Sequence, residues 1–171
     1  MYSQQGVGMI EVMVALLLLA IAVLGFSFLQ MRAIDASAEA MSKLQAVNLA
    51  RDLSERIRAN AEAYPVYLQG INQNQSSQQG LNCIQTGTAT PCQTAAQLAQ
   101  FDVAQIQQLA QVQGMQVRMP QCKTVANQAE RHCIYVAWGH TKAIDDDVEK
   151  TACTRQGNYL AKAQCVVMEL Y

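Results

Sequence analysis

The sequence predicts an α+β fold: a long N-terminal helix whose C-terminal half packs on a small antiparallel β-sheet, with a second, shorter helix before the sheet. Three observations predict it. Val12 to Leu29 is an unbroken apolar run. Arg32 to Tyr64 lacks Gly and Pro and consists largely of strong helix formers. Beyond Gly114 the apolar period shortens from three or four residues to two.

The first half of the long helix is lipophilic on every side. Val12 to Leu29, about 18 residues at 1.5 Å each, suffices to cross most of a bilayer core of roughly 30 Å. Glu11 stands at its leading edge with no basic neighbour in the chain. An ionised group in lipid costs at least ~2.5 kcal/mol, which makes Glu11 a functional candidate. The competing reading is an ordinary signal peptide or anchor, with Glu11 among the headgroups. Met1 to Gly6 carries no Lys or Arg, the apolar run exceeds a signal-peptide core, and no small-x-small cleavage pattern follows it. The segment is therefore expected to be retained.

The second half is amphipathic. Ile34, Met41, Leu44, Val47, Leu53 and Ile57 are predicted as a buried stripe opposite Asp35, Lys43, Arg51 and Glu55. Pro65 is expected to end the helix, because the residue before a proline is pushed out of the α region. Gly25 weakens the helix by about 1 kcal/mol without stopping it. The prediction is one helix from Val7 to Tyr64, about 90 Å long. Gly25, with Ala20 or Ala22, would permit close helix approach, although small residues are common in membrane helices.

Gln69 to Asn82 reads as a Gln-, Asn- and Ser-rich loop containing a glycosylation-like triplet, Asn74-Gln75-Ser76. Thr94 to Gln113 reads as the second helix, N-capped by Thr94, closed by Gly114, with Leu98, Phe101, Ile106, Leu109 and Val112 inward. Met115, Val117 and Met119 then alternate with polar residues and Pro120, and Cys133–Trp138 and Gln164–Leu170 are β-rich. The Asp145-Asp146-Asp147 run and the residues around Gly157 fall between strands.

A net charge of -1 argues against nucleic acid as a partner, and aromatics are too sparse for a base-stacking platform. All six cysteines, Cys83, Cys92, Cys122, Cys133, Cys153 and Cys165, follow the apolar run, which suits disulfides in an oxidising compartment. Fifteen connectivities are open; the local scheme Cys83–Cys92, Cys122–Cys133 and Cys153–Cys165 is preferred. No short Cys-x-x-Cys pair with histidines suggests a metal, and no cofactor is predicted. His132 and His140 flank a strand and are expected to be exposed, and the Asp run to be a solvated turn without EF-hand spacing. No catalytic constellation emerges.

Gly6 followed by Val7-Gly8-Met9-Ile10-Glu11 and the apolar run resembles the type IV pilin processing and assembly signal. Asn48-Leu49-Ala50-Arg51-Asp52-Leu53-Ser54-Glu55-Arg56-Ile57-Arg58-Ala59-Asn60, with Tyr64, resembles the end of the long helix in PilV-type minor pilins, as does the opening Ile10 to Leu16. The resemblance covers roughly the first 65 residues and implies the type IV pilin-like fold. It implies that a prepilin peptidase cuts after Gly6 and that the amine of Val7 is methylated. Glu11 then stands fifth in the processed chain, whereas a cut after Gly8 would put it third. It further implies that Glu11 neutralises the amine of a neighbouring subunit during assembly. The chain departs from the family in lacking a leader cation and a proline near Phe28.

The implied organisation is a leader at residues 1–6, a transmembrane or filament-core helix half at 7–31, and a periplasmic globular domain at 32–171. The implied location is the inner membrane, single-pass, and then the pilus at the cell surface. Implied partners are membrane lipid before assembly, other minor pilins, the major pilin, the prepilin peptidase, the inner-membrane assembly platform and a tip adhesin. The nearest alternative is a minor pseudopilin of type II secretion. Other classes are a membrane-anchored periplasmic enzyme and a soluble binding module released from its signal peptide.

Overall fold

The computed structural model describes Gly6, residues 8–73, Cys83, residues 92–123 and residues 131–170. The triplet Asn74-Gln75-Ser76 lies outside the described residues. Elements run α1 (Met9–Ala59), a 3₁₀ turn (Ala61–Ala63), α2 (Tyr64–Gln73), α3 (Ala95–Val112), β1 (Met115–Arg118), β2 (Cys133–Trp138), β3 (Lys142–Asp145), β4 (Ala152–Arg155), β5 (Asn158–Tyr159) and β6 (Cys165–Glu169). The chain divides into two compact units, one ending at Met41 and one beginning at Ser42.

Within the second unit, α1 buries Ala46, Leu49, Ala50, Leu53, Ser54 and Ile57. The predicted stripe is correct only at Leu53 and Ile57. Ile34, Met41 and Leu44 are exposed and Val47 is half-buried. The buried face is rich in alanine, which lets neighbouring elements approach closely but carries little hydropathy signal.

The helix ends earlier than expected. Asn60, at φ -132° and ψ 51°, leaves the helical region, and its Nδ2 donates to the Ala95 carbonyl at 2.8 Å. Pro65 does not terminate a helix; it sits in the first turn of α2, where a missing N–H costs nothing. Tyr64 stays helical although it precedes proline. The stretch Gln69 to Gln73, expected as loop, completes α2. Gly70 is needed there, because a Cβ would approach Val103 Cγ1 of α3 to 2.9 Å.

Thr94 caps α3, its hydroxyl accepting from Gln97 N–H at 3.2 Å, and Gly114 follows the helix at φ 67°. Its inward face differs from expectation: Ala99, Asp102, Val103, Ile106 and Ala110 are buried, whereas Leu98, Leu109 and Val112 are exposed. Asp102 accounts for the rotation. It is only 7 % exposed, and its carboxylate accepts from Arg56 Nη1 at 2.6 Å and Tyr67 Oη at 2.5 Å. Arg56 also donates from Nε to Asp52 (2.9 Å) and from Nη1 to Gln105 Oε1 (2.8 Å). Hydrogen bonding to Asp52 chiefly raises the Arg56 pKa against desolvation, with Asp102 adding. Burial, reinforced by Asp102, pushes the Tyr67 phenol well up.

The main sheet has the order β1-β2-β6 and is antiparallel throughout. Met115, Val117 and Met119 share one core with Ile134, Val136 and Trp138 and with the buried faces of α1, α2 and α3. On the opposite face, Cys133, Tyr135 and Ala137 pack with Ala143, Cys153 and Cys165 of a second, smaller sheet ordered β3-β4-β5. Strand β2 is thus buried on both faces, which is why it reads as a continuous apolar run. The second sheet departs from the all-antiparallel expectation, because β3 pairs β4 in parallel. Asp146 Oδ1 shapes the connection between them by accepting from Val148 N–H (2.8 Å) and Glu149 N–H (2.7 Å).

Asp145 is not part of a solvated turn. Its carboxylate accepts from Thr154 Oγ1 (2.7 Å), Gly157 N–H (2.8 Å) and Gln156 N–H (3.1 Å), and Lys123 Nζ lies at 3.2 Å. Gln156 and Gly157 both have positive φ, in the turn between β4 and β5, and a Cβ on Gly157 would reach the Lys123 carbonyl. Burial opposes Asp145 ionisation, but the Gly157 amide, the Thr154 hydroxyl and Lys123 outweigh it and hold the carboxyl below its usual range.

Disulfides join Cys83 to Cys92, Cys122 to Cys133 and Cys153 to Cys165. The last links β4 to β6, and so the small sheet to the main one. Loops of this size contribute on the order of 2–3 kcal/mol each when unstrained.

Asp102→Ala is expected to destabilise the folded domain by about 2–4 kcal/mol, since Arg56 and Tyr67 lose their shared acceptor, and Tyr67→Phe by about 1–2 kcal/mol. Urea unfolding of the purified chain in detergent checks both. Because the folded pKa of Asp145 is depressed, its stabilisation is present above the unfolded carboxylate value of about 3.9 and is lost as pH falls through the lower folded value. Thermal stability of the native chain should therefore fall as the pH drops below about 4, and Asp145→Asn should flatten that dependence while lowering stability at pH 7.

Candidate functional site

The apolar unit presents a helix without a core. Every residue from Gly8 to Met41 is exposed. A window of this helix has mean hydropathy 2.9, and none of that window is buried. Burying a large apolar side chain is worth roughly 1.5–3 kcal/mol. The exposed Leu16 to Leu19, Phe26, Phe28 and Leu29 therefore demand an apolar surrounding: lipid or other helices.

The helix opens at Gly8, whose carbonyl accepts from Glu11 N–H (3.0 Å) and Val12 N–H (3.4 Å). Glycine is tolerated at this capping position, but it offers no side chain to the free amides of the first turn. Glu11 lies in that turn, where the positive end of the helix dipole favours a carboxylate. Its side chain is exposed and no cation of the described residues pairs with it. Gly6 is described and exposed, whereas Val7 lies outside the described residues.

The far end of the apolar run is marked by Arg32, whose guanidinium stands 5.4 Å from the Phe28 ring centroid. Ser27 satisfies its hydroxyl on the Val23 carbonyl at 2.9 Å. Gly25 has open space where a Cβ would stand, so nothing inside the chain requires it to be small. Val12 to Met31, about 20 residues without a charge, correspond to roughly 30 Å of helix, the thickness of a bilayer core.

Elsewhere the polar clusters are internal supports. Among the described residues no group of three His, Cys, Asp or Glu is arranged to hold a metal ion. His132 is half-buried, contrary to the exposed position expected for it, because its Nδ1 is 2.9 Å from Tyr64 Oη; His140 is exposed. The Arg56–Asp102–Tyr67 cluster was not foreseen. Its one sequence signal is Asp102, an acid standing between apolar positions of α3.

Residues 1–27 match the family described as the prokaryotic N-terminal methylation motif. Residues 28–104 match the family described as type IV pilin Tt1218, a stretch that runs from Phe28 through the Asn60 break and α2 into α3. No curated protein and no solved structure matches the chain significantly. The two adjoining matches are of pilin type, with a methylation motif ahead of a helix long and apolar enough to cross a membrane. The fold is type IV pilin-like, and residues 28–104 are similar to the type IV pilin Tt1218 family.

A lysine in place of Leu18, near the middle of the uncharged run, is expected to weaken membrane insertion by about 2.5–3.5 kcal/mol. Carbonate extraction of membranes should then release a fraction of the Leu18→Lys protein while the native chain stays in the pellet.

Proposed function

We propose that this chain is a PilV-type minor pilin that helps to start or promote type IV pilus assembly and thereby supports adhesion and twitching motility. The observation that carries the reading is the methylation-motif match running into an exposed apolar helix, with Glu11 in its first turn and without a partner among the described residues. In this reading a prepilin peptidase cuts after Gly6 and methylates the amine of Val7. The globular domain, from Arg32 onward, lies in the periplasm. That location fits the presence of three disulfides and of no free cysteine among the described residues.

The chemistry follows from dielectric and valence. Cleavage creates a cationic amine at a helix terminus whose dipole already has a positive end. In a bundle of parallel helices the Glu11 carboxylate of one subunit meets the amine of its neighbour. An unpaired charge in such surroundings costs several kcal/mol, so pairing sets the axial register between subunits. Before assembly the helix rests in the inner membrane. Afterwards it packs with other minor pilins and the major pilin on the assembly platform, with a tip adhesin as a further neighbour. The role is structural rather than enzymatic. The resemblance over Asn48 to Asn60 favours a minor pilin over a pseudopilin of type II secretion.

Glu11→Ala is expected to stay in the membrane fraction at native level and to be depleted at least about tenfold from sheared pili, the loss expected for an unpaired charge. Equal incorporation of the variant overturns the assembly role of Glu11. Mass spectrometry of the N-terminal peptide from sheared filaments should give N-methyl-valine at Val7. Recovery of Met1 to Gly6 in filaments rejects the processing step.

A further inference from the structure

Backbone hydrogen bonds determine which way each residue of β1 turns its amide. Cys122 N–H donates to the Arg131 carbonyl (2.7 Å) and Cys133 N–H to the Pro120 carbonyl (3.0 Å), so Pro120 and Cys122 face β2. By antiparallel alternation Gln116 and Arg118 also face β2, opposite Ala137 and Tyr135. Met115, Val117 and Met119 therefore turn their N–H and C=O groups to the outer edge. At Met119 both are met by the Asn72 side chain, Oδ1 accepting at 2.8 Å and Nδ2 donating at 2.9 Å. At Met115 and Val117 no described residue meets them. The other edge of the sheet is treated differently, because Val167 N–H on β6 donates to Tyr159 Oη at 3.0 Å.

Beside the open part of the β1 edge lies a groove of about 360 Å³, walled by Gln107 and Gln111 of α3 and by β1 itself. Gln107 Nε2 donates to the Gly70 carbonyl at 3.0 Å, but its Oε1 is buried without a partner. At one end Arg118 donates to the carbonyls of Ile71 and Asn72, and no described carboxylate neutralises it. Among the described residues no acid lines the groove.

We propose that the β1 edge accepts a short extended segment of a partner polypeptide by strand addition, with a carboxylate of that segment beside Arg118. The outward groups of Met115 and Val117 supply two donors and two acceptors at the two-residue spacing of a ladder. The guanidinium of Arg118, without a described carboxylate beside it, selects for an acid. A second copy of β1 does not fit. Paired strands lie about 4.8 Å apart, whereas two helices roofing them need about 8–10 Å, and each copy carries its own α3 beside this edge. The occupant is therefore an extended segment with no helix above it.

The test uses the purified full chain in detergent micelles and the acetylated, amidated peptide Glu-Thr-Val-Thr-Val, read by NMR amide exchange. In the free protein the amides of Met115 and Val117 should exchange at least about tenfold faster than those of Gln116 and Arg118, as expected for unpaired edge groups. The peptide should slow the first pair and leave the second unchanged. N-methylation of alternate peptide amides should abolish the effect in one phase and spare it in the other, and Lys in place of its Glu should weaken it about tenfold. Val117→Pro removes the outward N–H and also repacks a core side chain; with the Gln116 and Arg118 amides still protected, which checks the fold, it should weaken the effect similarly. Unchanged Met115 and Val117 exchange at millimolar peptide, equal behaviour of the two methylation phases, or equal binding of the Lys peptide overturns the proposal.

Discussion

The helical layer of the globular unit depends on one buried charge. Asp102 would be costly to bury alone, and it is tolerated because Arg56 of α1 and Tyr67 of α2 both donate to it at 2.6 Å and 2.5 Å. Three helices are thereby referred to one carboxylate, which turns Val103 and Ile106 of α3 toward the sheet. The break at Asn60 belongs to the same arrangement. It lets α2 bring Tyr67 back to Asp102, and the Asn60 amide ties the break to the start of α3. Geometry is specified here by polar groups, while the apolar contacts around them supply most of the free energy.

The strand layer solves a different problem. A three-stranded sheet covered on one face only gives a thin core, and this chain covers the second face with β3, β4 and β5. That small sheet is held by the Cys153–Cys165 disulfide and by the Asp145 carboxylate, which gathers the turn after β4 together with Lys123. Covalent and charge-assisted links take the place of apolar area in a domain too small to provide much of it. At Met115 and Val117 no described residue pairs with the β1 edge, and an unpaired edge is a place where another chain can pair.

Among the described residues the apolar unit has no core of its own. Leu16 to Leu19 and Phe26 to Leu29 are exposed in the isolated chain, so the native surroundings of this helix must come from lipid or from other subunits. Glu11 and Arg32 bracket the uncharged run, one in the first turn of the helix and one beside the Phe28 ring.

Much of this was legible in the residues themselves. The apolar run, the Thr94 cap and the Met115–Val117–Met119 alternation each follow from a local pattern, because local patterns reflect backbone geometry and solvent preference. The helix end was misplaced because Pro65 is a strong local signal, whereas the departure at Asn60 is supported from Ala95, far along the chain. The inward faces of α1 and α3 were misassigned because hydropathy favours Leu44, Leu109 and Val112 over Ala46, Ala50 and Ala110. Which of them is buried depends on how closely neighbouring helices approach. Asp145 and Asp102 look like solvent-facing acids until their donors, dozens of residues away in the second case, are brought beside them. By itself the sequence determined the long apolar helix, the helix after Thr94, the three strands of the main sheet and the N-terminal methylation motif, since those depend on residues close in the chain. Only the tertiary structure decided which faces close on one another, which charges are buried and which strand edge stays open, because these are pairings between residues that the chain holds far apart.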